Sequence, residues 1–114
     1  MATPFSLERT DHDGVSQLTL AGDVDISCAD EIVERALDAL NNAQTEMLVI
    51  ELAKVTFMDS SGIGALFRIN AEADKSGKSM TLRAVPRRVR TLLTITGLDL
   101  LIPIEDIDTP PDPR

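Results

Sequence analysis

Met47-Leu-Val-Ile-Glu-Leu-Ala-Lys-Val-Thr-Phe-Met-Asp-Ser-Ser-Gly-Ile-Gly64 is the stretch whose reading decides the fold. Its first six residues, Met47 to Leu52, are a short, nearly continuous apolar run bounded by polar residues. Such a run predicts a central strand covered on at least one face by helices. Val55, Phe57 and Met58 carry the chain to Asp59-Ser-Ser-Gly62, where a helix is predicted to begin. Ile63, Leu66 and Phe67 form its expected apolar face, and Gly77 is its expected stop. Small hydroxyls and glycines therefore sit where a strand becomes a helix. A helix N-terminus has unpaired N–H groups and about half a positive charge, so it can hold an anion. A serine there can cap the helix when unmodified; phosphorylated, it carries close to two negative charges at the same place. Gly62 and Gly64 are read as removing side chains that would block another protein's approach. The plainer reading of the same residues is that Ser60 or Ser61 is only an N-cap and the glycines ease a tight turn.

Upstream, Phe5 to Arg9 is a candidate edge strand, and His12-Asp-Gly14 reads as a hairpin turn. Val15 to Ala21 alternates, with Leu18 and Leu20 facing the core. Gly22-Asp-Val-Asp25 reads as a loop. Ser27, three residues before Asp30, makes a capping pattern for a helix whose apolar face is Ile32, Val33, Ala36, Leu37 and Leu40, ending near Asn41-Asn42. Downstream, Met80, Leu82 and Ala84 alternate as a strand. Pro86 suits the first turn of a third helix, which buries Val89, Leu92 and Leu93 and ends at Gly97. Leu100 to Ile104 is a candidate last extended segment. Strands alternate with helices after the hairpin, which predicts an α/β fold: a mixed sheet of about four to five strands with covering helices. One domain is expected over residues 1–108, with 109–114 a disordered proline-rich tail.

Composition narrows the function. The formal charge of −8 argues against direct nucleic-acid contact, which needs a basic surface. The single cysteine, Cys28, cannot form an internal disulfide, which fits a reducing cytoplasm. Neither a signal peptide nor an apolar run of membrane-spanning length is visible, so a soluble cytoplasmic protein without membrane contact is expected. Arg83, Arg87, Arg88 and Arg90 form a basic cluster, either a solvated face or a surface for an acidic patch on a partner.

Enzymatic and metal chemistry find little support. A nucleophile elbow needs Gly-x-Ser-x-Gly, and Met58 stands two residues before Ser60. His12, the one histidine, falls in the predicted hairpin turn rather than beside a nucleophile. Asp23, Asp25 and Asp59 have no diagnostic metal spacing and read better as loop acids or caps. Gly62-Ile-Gly64 is not a nucleotide fingerprint. Neither a cofactor nor a catalytic residue is expected.

Phe57-Met-Asp-Ser-Ser-Gly-Ile-Gly64 resembles the signature of the STAS-domain anti-sigma factor antagonists, bacterial partner-switching regulators that carry Asp-Ser-Ser-Gly or Asp-Ser-Thr-Gly after the third strand. Leu20-Ala-Gly-Asp-Val-Asp25 resembles the family's Gly-Glu-Leu-Asp segment, with Asp23 where Glu is common. Arg87 to Leu98 resembles its third helix and the turn beyond. The resemblance spans Val15 to Ile104. It implies that Ser60 is the phosphate acceptor, that Ser61 shapes the helix start, and that Asp59 is the acid before the acceptor. Asp25 is implied to lie beside the acceptor and to contact a partner. With Asp25, Asp59 and Ser61, the segment Gly62, Ile63, Gly64 makes up the expected partner-binding set. The implied mechanism is partner switching in transcription control and stress response. The unphosphorylated protein binds an anti-sigma factor, often a serine kinase, and so frees a sigma factor. Phosphorylation releases it, and a phosphatase resets it. The competing role in the same fold is a constitutive STAS subunit of a lipid-transport ATPase complex or stress-signalling scaffold.

Overall fold

The computed structural model describes residues 3–106; the predicted tail, 109–114, lies outside them. In chain order the elements are β1 (Ser6–His12), β2 (Val15–Val24), α1 (Ile26–Asn41), β3 (Met47–Met58), α2 (Ser60–Lys75), β4 (Ser79–Arg83), α3 (Arg87–Thr96), a 3₁₀ turn (Leu98–Leu100) and β5 (Ile104–Glu105). The five strands lie in the order β1-β2-β3-β4-β5. β1 is antiparallel to β2, and every other neighbouring pair is parallel. The mixed α/β sheet expected from the sequence is the one observed.

Local chemistry explains most element ends. Asp13 and Gly14 both take positive φ, 50° and 82°, which is the two-residue turn that matches strand twist. Gly97 ends α3 in the left-handed conformation at φ 77°, where a side chain would be strained. Pro86 stands just before α3, where its missing N–H costs nothing. Leu100 to Ile104 departs from the extended segment expected. The chain first makes the 3₁₀ turn, burying Leu98 and Ile102, and pairs as a strand only at Ile104–Glu105.

The three parallel crossovers step across the sheet in the same direction, so right-handed connections put all three helices on one face. Buried residues of α1, α2 and α3 form one apolar cluster with Leu18, Leu20, Leu48, Ile50, Leu52 and Leu82. On the other face Val49 is buried outside that cluster, among half-buried Gln17, Thr19, Glu51 and Arg83. Two buried polar residues, Ser16 and Thr45, satisfy each other through a hydroxyl pair at 2.9 Å. Phe67, expected on the inner face of α2, is 36% exposed; Ile63, Leu66 and Ile69 hold the inward positions instead.

β3 departs from simple alternation, and the departure builds the functional end. Against β2 its register slips by one residue between Thr19↔Glu51 and Ala21↔Lys54, and again between Gly22↔Val55 and Asp23↔Phe57. Each slip is an extra residue in β3, a bulge that resets which side chains face inward. The buried positions therefore run Leu48, Ile50, Leu52 at spacing two, then Val55 and Met58 at spacing three. Without the bulges Val55 would point away from the helices.

β2 also runs further than expected, to Val24, where a loop from Gly22 was read. It is held extended from both sides. Val24 pairs with Met58, while the Asp23 N–H donates to the Thr3 carbonyl at 3.0 Å and the Thr3 N–H donates to the Asp23 carboxylate at 3.1 Å. The N-terminal segment crosses so closely over Gly22 (φ 85°) that a Cβ there would lie 2.0 Å from the Pro4 carbonyl oxygen. Both the backbone conformation and the contact demand glycine. Gly22→Ala is expected to cost about 2 kcal/mol or more, read as a lower urea midpoint at unchanged m-value. An unchanged midpoint would show that the segment can lift away freely.

Candidate functional site

The C-terminal ends of β2 and β3 lie side by side, and each turns directly into a helix. Val24 pairs with Met58, and the next residue on each strand is an aspartate that caps the helix following it. Asp25 accepts from the Ser27 N–H at 2.9 Å and from the Ser27 hydroxyl at 2.6 Å. Asp59 accepts from the Ser61 N–H at 2.9 Å. The two joins are thus one Asp-x-Ser device used twice, Asp25-Ile-Ser27 and Asp59-Ser-Ser61. They are tied by the Asp59 N–H donating to the Val24 carbonyl at 3.2 Å. Aspartate ranks with serine among the best N-caps, because its carboxylate takes an orphan N–H and faces the positive helix end.

This geometry corrects three readings. Ser27 was expected to cap α1, and the cap is Asp25. Ser60 or Ser61 was weighed as the cap of α2, and the cap is Asp59. Glycine had been read as clearing the surface at both Gly62 and Gly64, and the structure separates them. Gly62 is buried, and a Cβ there would stand 2.6 Å from the Met58 Cγ and 2.8 Å from a Val24 Cγ, so its absence of a side chain serves internal packing. Gly64 is exposed, with nothing within 4 Å of its hypothetical Cβ.

Ser60 occupies the first helical position of α2 and is exposed. No side-chain hydrogen bond among the described residues engages its hydroxyl. Of the expected partner-binding set, Asp25, Asp59, Ser61 and Gly64 reach the surface wholly or partly, whereas Gly62 and Ile63 are buried and contribute packing beneath it. Sequence reasoning missed Ile26, which holds the same first-turn position on α1 that Ser60 holds on α2. It is 80% exposed; Phe57, near the end of β3, is 45% exposed. Spacing alone could not have found it: Ile26 stands seven residues before Val33, on the helix's own apolar side, so it reads as core, and only its place in the first turn leaves it exposed.

The three carboxylates weighed as a metal set have separate tasks. Asp25 and Asp59 are caps, and Asp23 accepts from the Thr56 hydroxyl at 2.6 Å and from the Thr3 N–H. The Ser27 hydroxyl, and then the Ser27 N–H, hold the Asp25 carboxyl below its ordinary value. Cys28 is buried, and burial pushes its thiol up, which fits a structural rather than a reactive thiol. His12 lies at the far end of β2 from Asp25, about 30 Å away for a strand of this length, far beyond the reach of a general base for Ser60. Within the basic cluster, Arg83 pairs with Glu105 at 3.2 Å and Arg90 with Asp106 at 2.5 Å, fixing β5. Arg87 and Arg88 remain exposed at the start of α3, beside Val55 and Thr56. Among the described residues no helix is long and apolar enough to cross a membrane.

A family model described as "Mlab, STAS domain" matches residues 7–103. The chain belongs to the STAS domain family. It is 31% identical over 102 residues to an anti-sigma F factor antagonist of Paenibacillus polymyxa, a match covering 90% of this chain and 87% of that one. An anti-sigma-B factor antagonist of Staphylococcus epidermidis is 26% identical over 102 residues, covering 90% and 94%. The crystal structure of an anti-sigma factor antagonist from Mycobacterium paratuberculosis aligns with a TM-score of 0.80 at 25% identity, covering 90% of this chain and 86% of that one. The family expected from the sequence is borne out.

Two predictions follow from the joins. Gly62→Ala should destabilise the protein through its clash with Met58 and Val24. Gly64→Ala, in an open helical position, should stabilise it by up to about 1 kcal/mol; denaturant titration of both reads the difference. A stable Gly62→Ala would mean that the two joins are packed more loosely than described. Because the Asp25 carboxyl lies below its ordinary value, its charge contributes stability that is complete above the unfolded-state pKa. That contribution is lost as pH falls through the folded value. Asp25→Asn keeps a good cap without the charge, so wild type should lose stability more steeply than Asp25→Asn on acidification towards about pH 3. Parallel slopes would show that the carboxylate contributes no charge-dependent stability.

Proposed function

We propose that this chain is an anti-sigma factor antagonist: unphosphorylated, it binds an anti-sigma factor in the cytoplasm and so frees a sigma factor for transcription. Phosphorylation of Ser60, by a serine kinase that is often the anti-sigma factor itself, ends that binding, and a phosphatase restores it. The relatives' names support the general role. The observation that carries the switch is the placement of Ser60: exposed, first in its helix, with its hydroxyl free because Asp59 does the capping.

The division of labour between Asp59 and Ser60 matters physically. A serine that capped its helix would lose that hydrogen bond on modification, and the helix start would loosen. Here the cap survives, so a phosphoryl group changes the charge of the surface and leaves the fold in place. The new dianion stands at the joined caps, with Asp59 and Asp25 beside it and the exposed Ile26 at the start of the neighbouring helix. A partner surface shaped for the neutral hydroxyl has to desolvate that charge without a matching cation, at a cost of a few kcal/mol. Each 1.4 kcal/mol or so is about tenfold in affinity. The reading is regulatory and non-catalytic, with no cofactor: Asp59 and Asp25 are engaged as helix caps, and His12, the one histidine, stands at the far end of β2.

The test uses wild type, Ser60→Ala and Ser60→Asp as baits in lysate of the source cell, followed by binding to the purified captured partner. An anti-sigma kinase retained by wild type and Ser60→Ala but bound at least about tenfold more weakly by Ser60→Asp supports the switch. That kinase should transfer phosphate from ATP to wild type and not to Ser60→Ala. Equal binding by all three variants would refute it and favour a constitutive STAS subunit.

A further inference from the structure

Beside Ser60, residues of α1 and α2 line a groove of ≈ 300 Å³. Its floor is small or aliphatic: Ala29 and Val33 from α1, Gly64 and Ala65 from α2. Ile26 stands at its mouth, 80% exposed, and Ser61 lines it one residue from the acceptor. The borders carry opposite charges, Asp30 on the α1 side and Arg68 on the α2 side, both exposed. Among the described residues neither has an ion-pair partner.

We propose that this groove is the specificity pocket for the anti-sigma factor, an inference that rests on the function proposed above and names the chemistry of its partner. The occupant is an apolar side chain of the anti-sigma factor, presented on a segment with a basic residue on the α1 side and an acidic residue on the α2 side. Two observations select this occupant. The groove is continuous with the acceptor through Ser61, so a protein that reaches the Ser60 hydroxyl also covers it. Its borders are bipolar and unpaired, which fixes the direction of an approaching segment and disfavours one with reversed charges. Ile26 has the exposure of an anchor that becomes buried only in the complex. Gly64 makes room: a Cβ there would meet nothing within 4 Å, so a larger side chain can extend from it into the open groove.

Gly64→Leu, Ile26→Ala and Arg68→Glu test this, with Ser60→Asp in the same assay as the reference for the switch. Binding to the purified anti-sigma factor is measured by calorimetry, after thermal melts confirm folding. Gly64→Leu should weaken binding about tenfold or more by occupying the groove, and Ile26→Ala should weaken it several-fold at any salt. Arg68→Glu should weaken it at about 0.05 M salt and approach wild type near about 0.5 M, where surface charges are screened. If Ser60→Asp loses binding while the three groove variants keep wild-type affinity, the groove proposal is overturned and the switch stands. If Ser60→Asp binds as wild type does, the proposed function fails and the groove proposal fails with it. Should Gly64→Leu melt early, the other two groove variants carry the decision.

Discussion

The Asp59 N–H donating to the Val24 carbonyl fastens the ends of two parallel strands together just where each becomes a helix. The functional end depends on that junction. It brings two Asp-capped N-termini to one surface, places Ile26 and Ser60 in equivalent positions on neighbouring helices, and leaves no space for a side chain at Gly62. It is possible only because β3 carries two bulges. These let Val55 and Met58 stay in the core while the chain gains the residues it needs to end level with β2. The bulges, the glycine and the paired caps are parts of one geometric solution.

That solution separates the residues that stabilise the helix start from Ser60, the residue proposed to signal. The hydrogen bonds that start α2 belong to Asp59 rather than to Ser60, and among the described residues the Ser60 hydroxyl belongs to none of them. Helix α2 is therefore anchored by Asp59 and by the burial of Ile63, Leu66 and Ile69, while Ser60 is left as surface. The switch proposed above would on this geometry act through charge and desolvation at an interface rather than through refolding. The same economy is visible on α1, where Asp25 caps and Ile26 is free to face outward.

Much of this was legible in the sequence. The apolar run from Met47, the helical spacing of Ile32 to Leu40, the Asp-Gly turn and the two helix-ending glycines each follow from a local rule, and each element lies where that rule puts it. What was hidden is what depends on neighbours. The spacing of Leu52, Val55 and Met58 fits neither strand nor helix until the bulges against β2 are known. Gly22-Asp-Val reads as loop by composition and is strand because Thr3 and Met58 pair with it from either side. Asp and Ser are both good caps, so only the hydrogen bonds assign the task to Asp25 and Asp59. Gly62 and Gly64 look alike in the chain and differ entirely in what surrounds them.

Amide chemical shifts of the Ser60-phosphorylated protein, compared with those of the unmodified protein, test most directly whether the proposed acceptor is independent of the fold. The expected result is a set of changes confined to the two joins, from Val24 to Asp30 and from Phe57 to Arg68. Amides of the central strands near Leu18, Leu48 and Ile50 should be unmoved. Changes spreading through those strands, or loss of the Asp59 cap signature at the Ser61 amide, would contradict it by showing that phosphorylation works through the fold.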